Sequence, residues 1–270
     1  MMDFLASPVM LAALLPAMLI AMISAAMSVM VVAHRLSFLT VGVSHATLAG
    51  LGLAVFFALP LLPTATMAAI AVALLLAAMP RRSGIGEDVG TGLLFAGAMA
   101  LGVLLISSAD KYDVDLFGML FGNILTVSQD DIRWLWLTAA VVCIGMLFAA
   151  RAWWMIAFDA ATASAGGVPV RLYRGLLYTV VALTVIMCVK LAGIVLTTGL
   201  LVLPAACAWF WGRSPVVLWL LSSIFALAGT LAGLMISYHH DLPSGASVVI
   251  TLCMIFALSW SVAWLKQRAL

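Results

Sequence analysis

The stretch FDAATASAGG, from Phe158 to Gly167, is a small and polar island in a chain that is otherwise largely apolar. Basic residues flank the island, with Arg151 before it and Arg171 and Arg174 after it. The following run, residues 175–212, holds a single charged side chain, a lysine. This pattern predicts a short Ala/Ser/Gly helix at the edge of a membrane, between two membrane-spanning segments.

The composition excludes a soluble domain. Hydrophobic residues make up 66% of the chain, charged residues 8%, and the mean hydropathy is +1.27. Soluble domains carry about a quarter charged residues. The net charge of +2 is too small to indicate a nucleic-acid partner. The sequence therefore predicts an integral membrane protein in direct contact with the lipid bilayer.

The number of spans follows from the apolar runs, because a spanning helix needs about 20 apolar residues. The fold predicted is all-α, a polytopic bundle of about nine transmembrane helices, with roughly eight to ten compatible with the sequence. The range arises because two neighbouring spans can be a single broken helix, either at Leu59-Pro60 or at Lys190–Gly193. The candidate spans lie near residues 9–33, 44–59, 61–79, 91–107, 132–150, 174–190, 194–211, 215–236 and 246–265. The first lacks a basic leader and a small-residue cleavage site, which favours a retained span.

Basic residues fall mainly on one side of this topology, which predicts a cytoplasmic C-terminus. That side carries Arg35, Arg81, Arg82, Arg151, Arg171, Arg174, Arg213, Lys266 and Arg268. The other side carries Lys111, Arg133 and Lys190. The polar island Phe158–Gly167 then faces the cytoplasm, where a partner protein can push on it. This favours a permease subunit driven by a separate motor.

The sequence contains no motif of an ATPase or of another catalytic site. It lacks a Walker A sequence, an HExxH motif and a GxSxG motif. If transport is driven by ATP, the ATPase must be another chain, and this chain is not expected to be an enzyme. The cysteines lie inside predicted spans without CxxC spacing, as Cys143, Cys188, Cys207 and Cys253, and are interpreted as small apolar side chains that fill space.

The chain is predicted to be a single transmembrane domain, residues 1–270, with two longer connections. The outer segment 108–131 is acidic and then amphipathic, and the cytoplasmic segment 151–175 contains the polar island. Small residues also recur at four-residue spacing, at Gly42, Ala46 and Gly50 and again at Gly229 and Gly233. This spacing is typical of helices that pack closely in membranes.

Several fragments resemble, in order, the permeases of bacterial ATP-binding-cassette importers for zinc, manganese and iron. They extend over residues 34–245, most of the chain. They are His34-Arg-Leu-Ser-Phe-Leu39 with Ser44-His45-Ala46, Gly86-Glu-Asp-Val-Gly90 with Ala100-Leu-Gly-Val103, Asp115-Leu-Phe-Gly-Met-Leu-Phe-Gly-Asn-Ile-Leu125, Phe158-Asp159, Gly166-Gly167-Val168-Pro169, Gly193-Ile-Val-Leu196, Leu203-Pro204-Ala205, and Ser237-Tyr238 with Asp241-Leu-Pro-Ser-Gly245.

The resemblance implies the metal-importer permease fold, in a bacterial inner membrane. It also implies a homodimer of permeases, a dimer of cytoplasmic ATPases and an extracytoplasmic metal-binding protein. Segment 158–167 would be the coupling helix that docks on the ATPase, through Phe158, Asp159, Ala163, Gly166 and Gly167. Many importer permeases carry EAAxxxG here, and Ala161 stands at the place of the Glu. The alternative is an amphipathic helix that merely covers the surface.

His45 is the first candidate for the metal path, because ionisable side chains at membrane depth are costly and usually functional. It matches the Ser-His pair of the family and is expected to open the second span. The family often has an Asp four residues earlier, and here that position is Val41. Without that carboxylate, His45 would bind a divalent metal weakly. The alternative is a packed histidine at a helix end, bonded to a backbone carbonyl.

Two outer groups are further candidates. His239, His240 and Asp241 can receive metal or can form a polar helix terminus. The acidic group Asp110, Asp113, Asp115, Asp130 and Asp131 can concentrate cations, contact the binding protein or form a solvated face.

The function predicted is import of a divalent transition metal by alternating access. Zinc is the first choice, because histidines outnumber plausible buried carboxylates, and manganese and ferrous iron follow. No cofactor is expected to be bound by this chain beyond the transported ion. The alternatives are an ATP-independent secondary transporter or channel, and a permease for a chelated metal such as a siderophore.

Overall fold

The computed structural model describes residues 8–79, 87–109 and 129–268, and these residues are helical apart from short turns. The helices in chain order are α1 Pro8–Ala33, α2 Ser37–Phe56, α3 Leu61–Ala78, α4 Glu87–Ser107, α5 Gln129–Phe158, α6 Ala160–Ala165, α7 Val170–Trp209, α8 Pro215–His240 and α9 Ser244–Arg268.

Within the described ranges, nine helical segments are long and apolar enough to cross a membrane. They correspond one to one with the nine candidate spans predicted from the apolar runs. The all-α membrane fold is therefore confirmed. The single-domain organisation and the role of segment 151–175 stay predictions, and most of the outer segment 108–131 lies outside the described residues.

The second span begins earlier than the sequence suggested. We predicted 44–59, whereas α2 begins at Ser37. The polar residues that indicated a loop are accommodated by the helix itself, since Thr40 Oγ1 donates to Ser37 O at 2.8 Å and Ser44 Oγ donates to Val41 O at 2.9 Å. His45 accordingly lies well inside α2 and does not open it.

The two junctions at which the sequence allowed one broken helix, Leu59-Pro60 and Lys190–Gly193, differ from each other. Ala58 has a left-handed φ of 51°, and Pro60 precedes the first residue of α3, so α2 and α3 are separate helices. In α7, by contrast, the helix continues through Lys190 and is interrupted only at Gly193, where φ is 81° and ψ is 166°. The segments on either side of this break are each long enough to span a bilayer.

Two compact units divide the chain. One contains Met1–Val32, Phe117–Ala139 and Met187–Leu270, and the other contains Ala33–Leu116 and Ala140–Ile186. In the second unit α2 packs against α3 and α4. A Cβ at Gly50 would lie 2.6 Å from Ala65 Cα, and one at Gly52 would lie 2.8 Å from Gly102 O. The close approach predicted for the glycine at position 50 is confirmed.

The first unit is held together by buried hydroxyl and thiol groups as well as by apolar packing. Ser24 Oγ lies 3.2 Å from Cys188 Sγ, and Ser28 Oγ lies 2.9 Å from Ser222 Oγ. Helices α8 and α9 pack together in this unit, and a Cβ at Gly233 would overlap the backbone of Val248. Small residues therefore set the helix spacing here as well.

Candidate functional site

The polar island folds as a short helix, α6, whose N-terminus is capped by a side chain. Helix α5 ends at Phe158, and Asp159 is the N-cap of α6, with extended backbone angles of −155° and 108°. Its carboxylate accepts hydrogen bonds from Ala161 N, at 2.9 Å, and from Thr162 Oγ1. The Thr162 hydroxyl and then the backbone amides lower the pKa of Asp159, because they stabilise the carboxylate.

The other end of α6 is closed by its backbone. Val168 N donates to Ala163 O at 3.0 Å, and Gly167 N donates to Ser164 O at 3.1 Å. This is the Schellman arrangement, which requires a left-handed residue just after the helix. Gly167 supplies it with a φ of 84°. Both ends of α6 are thus fixed by local hydrogen bonds, although the helix has only 6 residues.

Most of this segment is exposed. Ala163 is only 2% exposed, but its neighbours Ala161, Thr162, Ser164 and Ala165 are exposed. Two large apolar side chains flank the helix without being covered: Phe158 is 81% exposed and Leu172 is 66% exposed. Exposed apolar side chains beside a rigid helix are typical of a surface that binds another protein.

The helices on either side of the segment are tied to each other. Trp153 of α5 is fully buried, and its Nε1 donates to Tyr173 O of α7 at 2.8 Å. This bond joins the end of α5 to the start of α7, so that α6 is carried on a closed frame. Helix α6 therefore lies between two long helices that are bonded to each other.

His45 is half-buried on α2. Its Nδ1 lies 3.0 Å from Val41 O, and its ring meets the Phe95 ring edge-on at 4.7 Å between centroids. A carbonyl oxygen only accepts, so Nδ1 carries the proton and Nε2 keeps its lone pair in the neutral ring. Metal-binding histidines are commonly held in this way, with one nitrogen on a carbonyl and the other on the metal.

The remaining candidate ligands lie apart from His45 along the chain. His239 and His240 are exposed in the last turn of α8, and Asp241 caps that helix with a left-handed φ of 50°. Among the described residues, no group of three or more His, Cys, Asp or Glu side chains converges as a metal site. Asp130 and Asp131 lie in the first turn of α5, whereas Asp110, Asp113 and Asp115 fall outside the described residues.

Three contacts of these sites were not predicted from the sequence. They are the Trp153–Tyr173 bond, the Thr162–Asp159 bond and the packing of Phe95 on His45. An Asp followed by a short polar helix is a recognisable N-cap signal, so the second contact was open to prediction. The other two join residues that are distant in sequence, and no local pattern indicates them.

The comparisons with known proteins agree with this architecture. The model of the family described as "ABC 3 transport family" matches residues 6–263. The manganese transport system membrane protein MntC of Halalkalibacterium halodurans is 31% identical over 252 residues, 92% of this chain and 85% of that protein. The manganese import system permease protein ScaB of Streptococcus parasanguinis is 31% identical, covering 95% of this chain and 91% of that protein.

A solved structure resembles the chain along almost its whole length. In the structure of PsaBC from Streptococcus pneumoniae in complex with Fab, one chain superposes with a TM-score of 0.84 at 27% identity. The match covers 96% of this chain and 94% of that one. With nine candidate membrane spans in the described residues, these findings show that the chain belongs to the ABC 3 transport family and is a membrane-spanning permease of that family.

Proposed function

We propose that this chain is the permease of a bacterial inner-membrane importer that moves a divalent transition metal into the cytoplasm. A homodimer of the chain would form the pathway, an extracytoplasmic protein would deliver the ion, and a separate ATPase dimer would supply the energy. The single observation that carries the proposal is the family match over residues 6–263. The chain itself would bind no resident cofactor.

Segment 158–167 is the proposed contact with the ATPase. Its support is the exposed helix α6, which is capped at Asp159 and at Gly167. A hydrogen bond from Trp153 to Tyr173 joins the two long helices that flank it. The exposed side chain of Phe158 offers an apolar contact beside it. Ala161, at the place of the family's Glu, makes the surface neutral at that point, so apolar contacts would contribute most of the affinity.

Manganese is the first ion to test, because two relatives at 31% identity carry it in their names. Zinc is the second, because His45 presents Nε2 with a lone pair. A single imidazole is a weak site for either ion, which suits a pathway that must release its cargo. His239, His240 and Asp241 would then attract cations at the predicted outer end of α8 rather than hold one ion.

The test is uptake of radiolabelled manganese and zinc, at limiting concentration, in cells with and without the gene. We expect deletion to abolish ATP-dependent manganese uptake and the intact gene to restore it. Loss of zinc uptake alone would assign zinc to the same permease. Unchanged uptake of both ions would refute metal import as the function of this chain.

A further inference from the structure

A cavity of about 780 Å³ lies in the unit formed by residues 33–116 and 140–186. Three helix ends surround it: α3 ends at Ala78, α5 ends at Phe158 and α7 begins at Val170. Spanning helices end where the hydrocarbon of the bilayer gives way to headgroups and water. The cavity is therefore placed at the edge of the membrane, at the depth of the lipid headgroups.

Two arginines line this cavity. Arg171 and Arg174 border it together with His34, and Arg35 lines a smaller cavity that shares Tyr178 with it. Arg174 is oriented by Tyr178, since its Nη2 donates to Tyr178 Oη at 3.4 Å and its guanidinium carbon lies 5.3 Å from the ring centroid. Guanidinium groups offer several donors in a plane, which suits the oxygens of a phosphate.

Apolar side chains form the rest of the wall. Leu74 and Ala77 of α3 and Ile156 of α5 line the same cavity, and Leu74 is 44% exposed. A small inorganic anion gains nothing from an apolar wall. A phospholipid needs both surfaces, because its headgroup is charged and its acyl chains are not. The combination of arginines and apolar residues at one membrane edge therefore favours a lipid.

We propose that this cavity binds an anionic phospholipid. Its phosphate would lie on Arg171 and Arg174, and the part of its acyl chain nearest the headgroup would lie along Leu74 and Ala77. Basic pockets between transmembrane helices on the cytoplasmic side commonly bind such headgroups. The walls belong partly to α5 and α7, the helices that carry segment 158–167. A bound lipid would brace this frame, whatever ion the permease transports.

The direct test is lipid binding to the purified, delipidated full-length chain by native mass spectrometry. Phosphatidylglycerol is the anionic probe and phosphatidylcholine the neutral one. We expect one phosphatidylglycerol per chain to bind more tightly than phosphatidylcholine. Replacing both arginines, as Arg171→Gln with Arg174→Gln, should weaken phosphatidylglycerol binding by about fivefold for each charge removed. Phosphatidylcholine binding should not change.

Two further variants separate a built site from general surface charge. Arg213→Gln removes an exposed cation that does not line the cavity, and it should leave phosphatidylglycerol binding intact. Ala77→Phe fills the cavity without changing any charge, and it should weaken binding as much as the loss of one arginine. Thermal unfolding checks each variant, and if the double variant does not fold, Arg171→Gln and Ala77→Phe carry the test.

Four results would overturn the proposal. Equal weakening by Arg213→Gln would show bulk electrostatics, and equal binding of the two lipids would show that the headgroup charge is not recognised. Displacement of phosphatidylglycerol by millimolar inorganic phosphate would show a site for the free anion. Loss of ATPase co-purification in the arginine variants, with phosphatidylglycerol binding unchanged, would assign the cavity to an acidic protein surface.

Discussion

His45, the proposed residue of the metal path, has one ring nitrogen already bonded to the backbone. The bond between Nδ1 and Val41 O fixes the tautomer, and the Phe95 ring supports one edge of the imidazole. Nε2 is left with a lone pair for a cation. Because Val41 supplies no carboxylate, we expect any ion at His45 to be held weakly.

We expect His45→Phe to reduce metal uptake by at least about tenfold, the scale on which metal sites respond to the loss of supporting groups. Phenylalanine keeps the ring volume and the contact with Phe95 but removes Nε2. Uptake of radiolabelled ion at equal expression measures the effect. The control is Thr40→Val, which removes a hydroxyl of α2 that donates to Ser37 O and should leave uptake within about twofold. Full uptake by His45→Phe would exclude His45 from the path.

Single residues were predictable from sequence only where a local pattern marks them. An intramembrane histidine and a four-residue spacing are visible in the chain itself, and they predicted His45 as a candidate ligand and Gly50 as a close-packing residue. The packing of Gly50 is confirmed, and the metal role of His45 stays a prediction. The prediction that His45 opens the second span was wrong. Thr40 and Ser44 bond to carbonyl oxygens of their own helix, so these polar residues lie inside α2 and do not mark its beginning. The partner of Trp153 comes from another helix and left no trace in the sequence.

Helix α6 is the element on which the coupling proposal depends, and its N-terminal closure can be tested by itself. Asp159→Ala should speed amide hydrogen exchange in residues 160–166, since the carboxylate that accepts from Ala161 N is lost. Asp159→Asn should preserve most of the protection, because Asn caps helices as well as Asp does. Exchange in Asp159→Ala as slow as in the native chain would mean that the cap does not stabilise the helix.

The pH dependence of this cap has a definite sign. The pKa of Asp159 is lowered below its ordinary value of 3.8, so the cap is complete above that value and is lost only as the pH falls through the folded pKa. Exchange protection of α6, corrected for intrinsic rates, should therefore be the same at pH 5 and pH 7. Protection that increases between these two values would contradict the assignment.

The break in α7 is a second feature that belongs to an element. At Gly193, φ of 81° with ψ of 166° is a region that only glycine occupies without strain. Gly193→Ala should lower the free energy of unfolding by about 1–3 kcal/mol. The control, Gly97→Ala, adds a methyl group to a helix position with open space around it and should be neutral or stabilising. Thermal unfolding of both variants decides whether the break is required.

At the scale of the molecule, the apolar runs were sufficient to predict the helices, because a bilayer allows few alternatives to a spanning helix. What they did not show is the distinction between the junctions: a true turn at Ala58 and a break inside a continuing helix at Gly193. Both depend on backbone angles rather than on hydropathy.

The topology makes a prediction of the same scale. Nine spans with the basic residues inside place the end of α8 outside and the end of α9 inside. Alkaline phosphatase fused after His240 should be active, and the same enzyme fused after Arg268 should be inactive. Activity at both sites would show that one of the nine candidates does not cross the membrane.

We propose that an ATPase drives metal import by acting on segment 158–167, and Gly167 is the residue at which this proposal is tested most directly. The measurement is the number of metal ions transported per ATP hydrolysed, in proteoliposomes that contain the permease with its ATPase and binding protein. Gly167→Val cannot adopt the φ of 84° without strain, whereas Gly97→Val adds the same side chain to a position of α4 with open space around it, outside segment 158–167. We expect a ratio that falls severalfold for Gly167→Val and stays near that of the native chain for Gly97→Val. An unchanged ratio in a folded Gly167→Val permease would contradict it.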